Sequence, residues 1–148
     1  MDIPKSMKGE IDMIKNIVFD FGNVLLKWDE DLLASYYSDD SNEQSIIKNT
    51  IFKSEEWHQL DKGTLTSEEA KEIFTMKFPE QLKGKVDEIM STWYKYLAVN
   101  GEICSLIKQL KQNHYHVYAF SNTHVVVYEY VKCLEIGDYF DRIFDFCY

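Results

Sequence analysis

No C-x-x-C pair occurs in this chain of 148 residues, and its three cysteines, Cys104, Cys133 and Cys147, lie far apart and are odd in number. That argues against a disulfide framework and against a zinc site, and for reduced thiols in a cytoplasmic protein. No apolar run approaches the ~20 residues of a membrane span. The amino-terminal MDIPKSMKGEIDMIK carries charges where a signal peptide has an apolar stretch. Positive charge is also scarce. Lys and Arg total 16 against 25 Asp and Glu, a formal net charge of -9. A surface of that sign repels phosphate backbones, so nucleic acid is disfavoured as a partner. A small anionic substrate is not excluded, because a metal ion or a helix terminus can reverse the field locally. Internal repeats and low-complexity tracts are missing too, which sets aside solenoids and linkers.

What remains is 45% hydrophobic and 15% aromatic, enough for a packed core. The length fits one compact domain or a small core with an inserted lobe. Residues 1 to about 14 read as a polar leader. Residues 16–20 are short, apolar and partly β-branched, a predicted first strand ended near Gly22. From Trp28 to about Asn100 the period is helical. Asp29-Glu30-Asp31 and Asp40 with Glu43 suit helix starts, and Thr66 to Glu69 has capping-box spacing before a helix that Pro79 closes. Val86, Ile89, Met90, Trp93 and Leu97 form a helical stripe, read as a core face. After Asn100-Gly101 comes a helix through Leu110. A strand follows over 115–120, a second helix over 125–134, and a third strand over 141–146. Strands alternating with helices predict a parallel sheet.

In an open parallel sheet, ligands bind outside the carboxyl ends of the strands. Two predicted strand ends carry polar groups there. One is Asp20 with Phe21, Gly22 and Asn23; the other is Ser121 with Asn122 and Thr123. Either alone reads equally as a cap or a turn. Both together, with a helical insertion directly after the first, are more specific.

On these residues the chain resembles a family. IVFDFGNVLLKWD is similar to the first motif of the haloacid dehalogenase-like (HAD) hydrolases, and AFSNT to the second. WHQLDKGTLTSEEA resembles a piece of their helical cap. The likeness runs closest to bacterial sugar phosphatases of the glucose-1-phosphatase type. It implies a Rossmann-like α/β core from residues 1–27 and 101–148, with a helical cap over 28–100. It implies Mg2+-dependent hydrolysis of a small sugar phosphate through an aspartyl-phosphate. Asp20 is then the nucleophile and a metal ligand, and the Gly22 backbone carbonyl a second ligand. The N–H groups of Phe21, Gly22 and Asn23, the Ser121 hydroxyl and the Asn122 backbone would hold the phosphoryl oxygens. Gly22 is expected to supply the backbone freedom of the turn.

Two departures stand out. Position 22 is glycine where many relatives carry a second acid that moves protons, a change that favours anomeric phosphates, whose leaving oxygen departs readily. No Lys-Pro pair and no later acidic site follow the third strand, so the third and fourth motifs are without counterparts. The expectation is a truncated chain with an incomplete core, prone to self-association. Two alternatives stay open: a metal-free haloacid dehalogenase using the same carboxylate, and a truncated non-catalytic binding protein. Asp29 is read as a cap residue rather than an acid, and His58 as a surface or packing residue. Asp61 reads as either a turn or a cleft residue. His114 and His116 are read as structural. His124 stands as a substrate contact or a structural residue, and Tyr36-Tyr37 as packing.

Overall fold

The computed structural model describes residues 14–145. Alternation along Ile17-Val18-Phe19 makes β1 (Asn16–Phe19), with Phe19 turned inward and Val18 outward. β1 pairs in parallel with β4 (His116–Ser121), and β4 in parallel with β5 (Arg142–Asp145), giving the order β1-β4-β5. Val18 stands beside Tyr118, and Ser121 beside Asp145. One face of β4 buries Val117, Ala119 and Ser121. Against it pack α6 (Gly101–Gln112) through Ile107 and α7 (Val125–Cys133) through Val127, Tyr128 and Val131. Asp141 pins these layers together: its carboxylate accepts the Val117 N–H and the Lys111 ammonium, each at 2.7 Å. A 3-10 turn (Glu135–Tyr139) leads from α7 to β5. There Gly137 is obligatory, since a Cβ would lie 2.5 Å from the Val131 carbonyl. The other sheet face carries Val18, Phe120 and Phe144 at 60%, 40% and 37% exposure. Parallel sheets are ordinarily covered on both faces, so this apolar surface is unusual among the described residues.

Between β1 and α6 the chain is helical, and side-chain caps start the helices. Asp29 accepts the Leu32 N–H ahead of α1 (Glu30–Ser35), so it is the cap the sequence predicts. Asp40 does the same for α2 (Ser41–Ile47), and Ser54 for α3 (Glu55–Asp61). Thr66 and Glu69 close a reciprocal capping box on α4 (Ser67–Lys77). α5 (Lys85–Thr92) runs into a 3-10 turn over Trp93–Tyr96. Leu33, Ile47, Ile51, Phe74, Leu82, Val86 and Ile89 fill the interior between these helices. Tyr36 stacks on Tyr96 at 4.2 Å, a packing role. No helix among the described residues is long and apolar enough to cross a membrane.

Two features escape the sequence pattern. α2 widens into a π-helical turn, Lys48–Phe52, a form that concentrates at functional sites. The helical segment also enters and leaves through a short antiparallel pair, β2 (Leu26–Lys27) and β3 (Ala98–Val99). The Asn100 N–H donates to the Leu25 carbonyl at 2.8 Å and extends that pair. Strands of two residues leave no periodicity to read.

Candidate active site

β1 ends at Phe19, and Asp20 begins a tight turn. The Asp20 carboxylate accepts the next N–H, that of Phe21, at 2.6 Å. Phe21 is buried edge-on against Tyr128, ring centroids 5.5 Å apart, which fixes the base of the turn. Its carbonyl accepts the N–H groups of Val24 and Leu26, and the Asn23 N–H donates to the Leu26 carbonyl. The left-handed residue is Asn23, with φ 55°. Asn tolerates this conformation better than most side chains. Its side-chain oxygen accepts the Trp28 N–H at 3.0 Å and closes the loop. The sequence points to Gly22 for backbone freedom; the structure puts the positive φ one residue later. What Gly22 leaves is open space, with nothing within 4 Å of where a Cβ would stand.

The second strand end lies beside the first, because β1 and β4 are neighbours. Ser121 is buried, and its carbonyl accepts the hydroxyl of buried Tyr128 from α7. Asn122 and Thr123 follow, then His124, the N-cap of α7. Its Nδ1 accepts the Val126 N–H, and its Nε2 lies 2.9 Å from the Ser67 hydroxyl at the start of α4. Its ring meets Trp93 edge-on. Burial holds the imidazole below its ordinary pKa, partly offset by Glu68. His124 therefore fastens the helical segment to the strand loop, and the cleft wall does not include it.

Asp20, Phe21, Gly22, Asn23, Ser121 and Asn122 all line one cleft of about 600 Å³. The facing wall comes from the helical segment. Trp28, Phe52, Trp57 and Trp93 pack edge to face there, and Glu30, Lys53, His58 and Asp61 line the wall with them. The π-helical turn delivers Phe52 and, just after it, Lys53. Asp61 is the last residue of α3 and lines the cleft, and Gly63, with φ 71°, follows the helix end. His58, read from sequence as a surface or packing residue, is a cleft residue one turn before Asp61. Desolvation pushes the Asp61 carboxyl up to about 6, against the opposing pull of the His124 backbone N–H and of His58. Lys53 carries no signal in the sequence, since a lone charge in a helical stretch reads as solvated surface, and Glu30 reads there only as part of an acidic helix start.

Hard oxygen donors are what Mg2+ takes, and it commonly binds one or two carboxylates with water and phosphate oxygens completing its shell. The Asp20 carboxylate fits that chemistry. The Gly22 carbonyl fits too, since the turn's hydrogen bonds engage the carbonyls of Phe21 and Leu26. Among the described residues no group of three or more His, Cys, Asp or Glu side chains could hold a metal alone.

No protein-family model and no curated protein sequence matches the chain. Solved structures do match. A HAD-family enzyme of Bacteroides thetaiotaomicron, in complex with magnesium and inorganic phosphate, aligns over 89% of this chain and 68% of its own, with TM-score 0.56 and 22% identity. A dehalogenase aligns over 91% and 63%, with TM-score 0.63 and 19% identity. The L-2-haloacid dehalogenase of Xanthobacter autotrophicus aligns over 90% and 57%, with TM-score 0.57 and 17% identity. The chain thus spans about two thirds or less of the length of these enzymes. At such identities the likeness is one of architecture: this is the α/β fold of the HAD enzymes, a parallel sheet with Asp20 at the end of its first strand.

Proposed function

We propose that the chain is a hydrolase of small phosphate monoesters, acting through an aspartyl-phosphate on Asp20. The observation that carries this reading is the meeting of two strand ends, a hundred residues apart in sequence, on one cleft. A carboxylate nucleophile there divides one difficult hydrolysis into two easier displacements. Asp20 would attack phosphorus while the Ser121 hydroxyl and the N–H groups of Gly22 and Asn122 hold the equatorial oxygens. The Phe21 and Asn23 N–H groups already serve the turn itself. Mg2+, held by Asp20 and the Gly22 carbonyl, would screen the carboxylate from the phosphate dianion. The fold neighbour with magnesium and inorganic phosphate supports that choice.

We infer a sugar phosphate as the substrate class; Gly22 carries no acid, so anomeric phosphates are favoured unless the facing wall supplies the proton. Cys104 and Cys133 are free thiols, which suits a cytoplasmic setting. The competing reading is a dehalogenase, favoured by two of the fold neighbours. The test is release of phosphate from an aryl phosphate with and without Mg2+, beside release of halide from a 2-haloacid. Metal-dependent phosphate release is expected. Halide release without metal would replace the proposal, and neither product would leave a binding protein. Within the phosphatase reading, glucose 1-phosphate should outrun glucose 6-phosphate where no acid protonates the leaving oxygen; equal or reversed rates would remove the anomeric preference and point to an acid elsewhere in the cleft.

A further inference from the structure

We propose that Asp61 is the proton donor to the leaving oxygen, presented from the helical segment into the cleft onto which Asp20 opens. This rests on phosphoester hydrolysis at Asp20. In phosphoryl transfer the attacking and leaving oxygens lie roughly in line on opposite sides of phosphorus. With Asp20 attacking from the strand side, the leaving oxygen points at the facing wall, which the helical segment builds. The ionisable groups on that wall are Glu30, Lys53, His58 and Asp61. Lys53 and His58 are exposed, and Glu30, half-buried like Asp61, sits in the first turn of α1 without Asp61's tie to the His124 loop. Asp61 is half-buried at the end of α3 and lines the cleft, where its carboxyl feels the backbone N–H of His124 from the loop that carries Ser121 and Asn122. A carboxyl that keeps its proton towards neutrality, as burial makes this one do, is matched to general-acid work. Gly22 has no side chain to do it from the strand side.

The protons balance over the two steps. In the first, an Asp20 oxygen bonds to phosphorus, the bond from phosphorus to the leaving oxygen breaks, and that oxygen takes the Asp61 proton. In the second, water attacks phosphorus and gives a proton to the Asp61 carboxylate. Phosphate then leaves Asp20, and both side chains return to their starting forms.

The test compares kcat/KM for p-nitrophenyl phosphate, whose leaving group departs unprotonated, with that for glucose 6-phosphate, whose alkoxide needs a proton. Asp61→Asn should lower the alkyl rate by ~10²-fold or more, within the usual range for a lost general acid, and the aryl rate only severalfold. Since a Cβ at position 22 meets nothing within 4 Å, Gly22→Asp in the Asp61→Asn background should restore part of the alkyl rate. Equal losses on both substrates would overturn the assignment. So would a leaving-group-dependent loss in His58→Gln with none in Asp61→Asn. If the unaltered chain releases phosphate from neither substrate, the hydrolase reading falls, and this one with it.

Discussion

Replacing Asp61 by Asn should make the protein more stable, and only at high enough pH. Burial raises the Asp61 carboxyl from its ordinary 3.8 to about 6. Below 3.8 the folded and unfolded chains both hold the proton, and the position contributes the same to each. Between these values the unfolded chain releases its proton first, so stability falls as pH rises; above about 6 the whole penalty is present. Two pKa units at 1.36 kcal/mol each set a ceiling of about 3 kcal/mol. Water in the open cleft lowers this, and about 1–2 kcal/mol is the reasonable figure. Asn keeps the size and an acceptor for the His124 N–H but never carries charge. At 2–4 °C per kcal/mol, Asp61→Asn should melt about 2–8 °C above the parent at pH 8 and level with it at pH 4. Thermal melts followed by circular dichroism over that range decide the matter. A difference independent of pH, or a lower melting point at pH 8, would refute the argument that desolvation governs this carboxyl.

Asp20→Asn should abolish phosphate release, a loss of at least ~10³-fold, with the melting point nearly unmoved because Asp20 is exposed; rapid phosphate detection and a melt check both halves. Tyr128→Phe removes the hydroxyl that donates to the Ser121 carbonyl, and should cost about 1–3 kcal/mol in urea unfolding. Asp141 is held down to about 2, chiefly by Lys111 and then by the Val117 N–H. Its contribution is present at neutral pH and lost as pH falls from about 4 through 2, so Asp141→Asn should be less stable at pH 7 with the gap closing on acidification. The exposed Val18, Phe120 and Phe144 face should draw copies of the chain together. Light scattering showing only monomer at high concentration would contradict that.

Where chemistry dictates position, the sequence was readable. Strands β1, β4 and β5 fall within about a residue of the predicted runs, because a short apolar stretch next to a helical period has few other readings. Asp29, Asp40 and Thr66 cap helices as their residue types require. Asp20 and Ser121 come together because a parallel sheet aligns the carboxyl ends of its strands. The facing wall was harder. Lys53 reaches the cleft just past a π-helical turn, and His58 and Asp61 share a face of the short helix α3, so none of them leaves a periodic signal. His124 lies next to the second motif but turns its ring to Ser67, a contact 57 residues away that no local pattern encodes.

The paired stem of β2 and β3 bears on the order in which the chain assembles. Pairing β1 with β4 means closing a loop of about a hundred residues. Once Leu26 has met Val99, the chain still to be closed shrinks to about a quarter of that. At ~0.6 kcal/mol per doubling of loop length, the stem lowers the entropic cost of sheet formation by about 1.2 kcal/mol. The helical segment should therefore nucleate first and carry the two halves of the sheet towards each other. Residues such as Phe74 and Ile89 would then be native-like in the folding transition state, and φ-values near zero there would reverse this order.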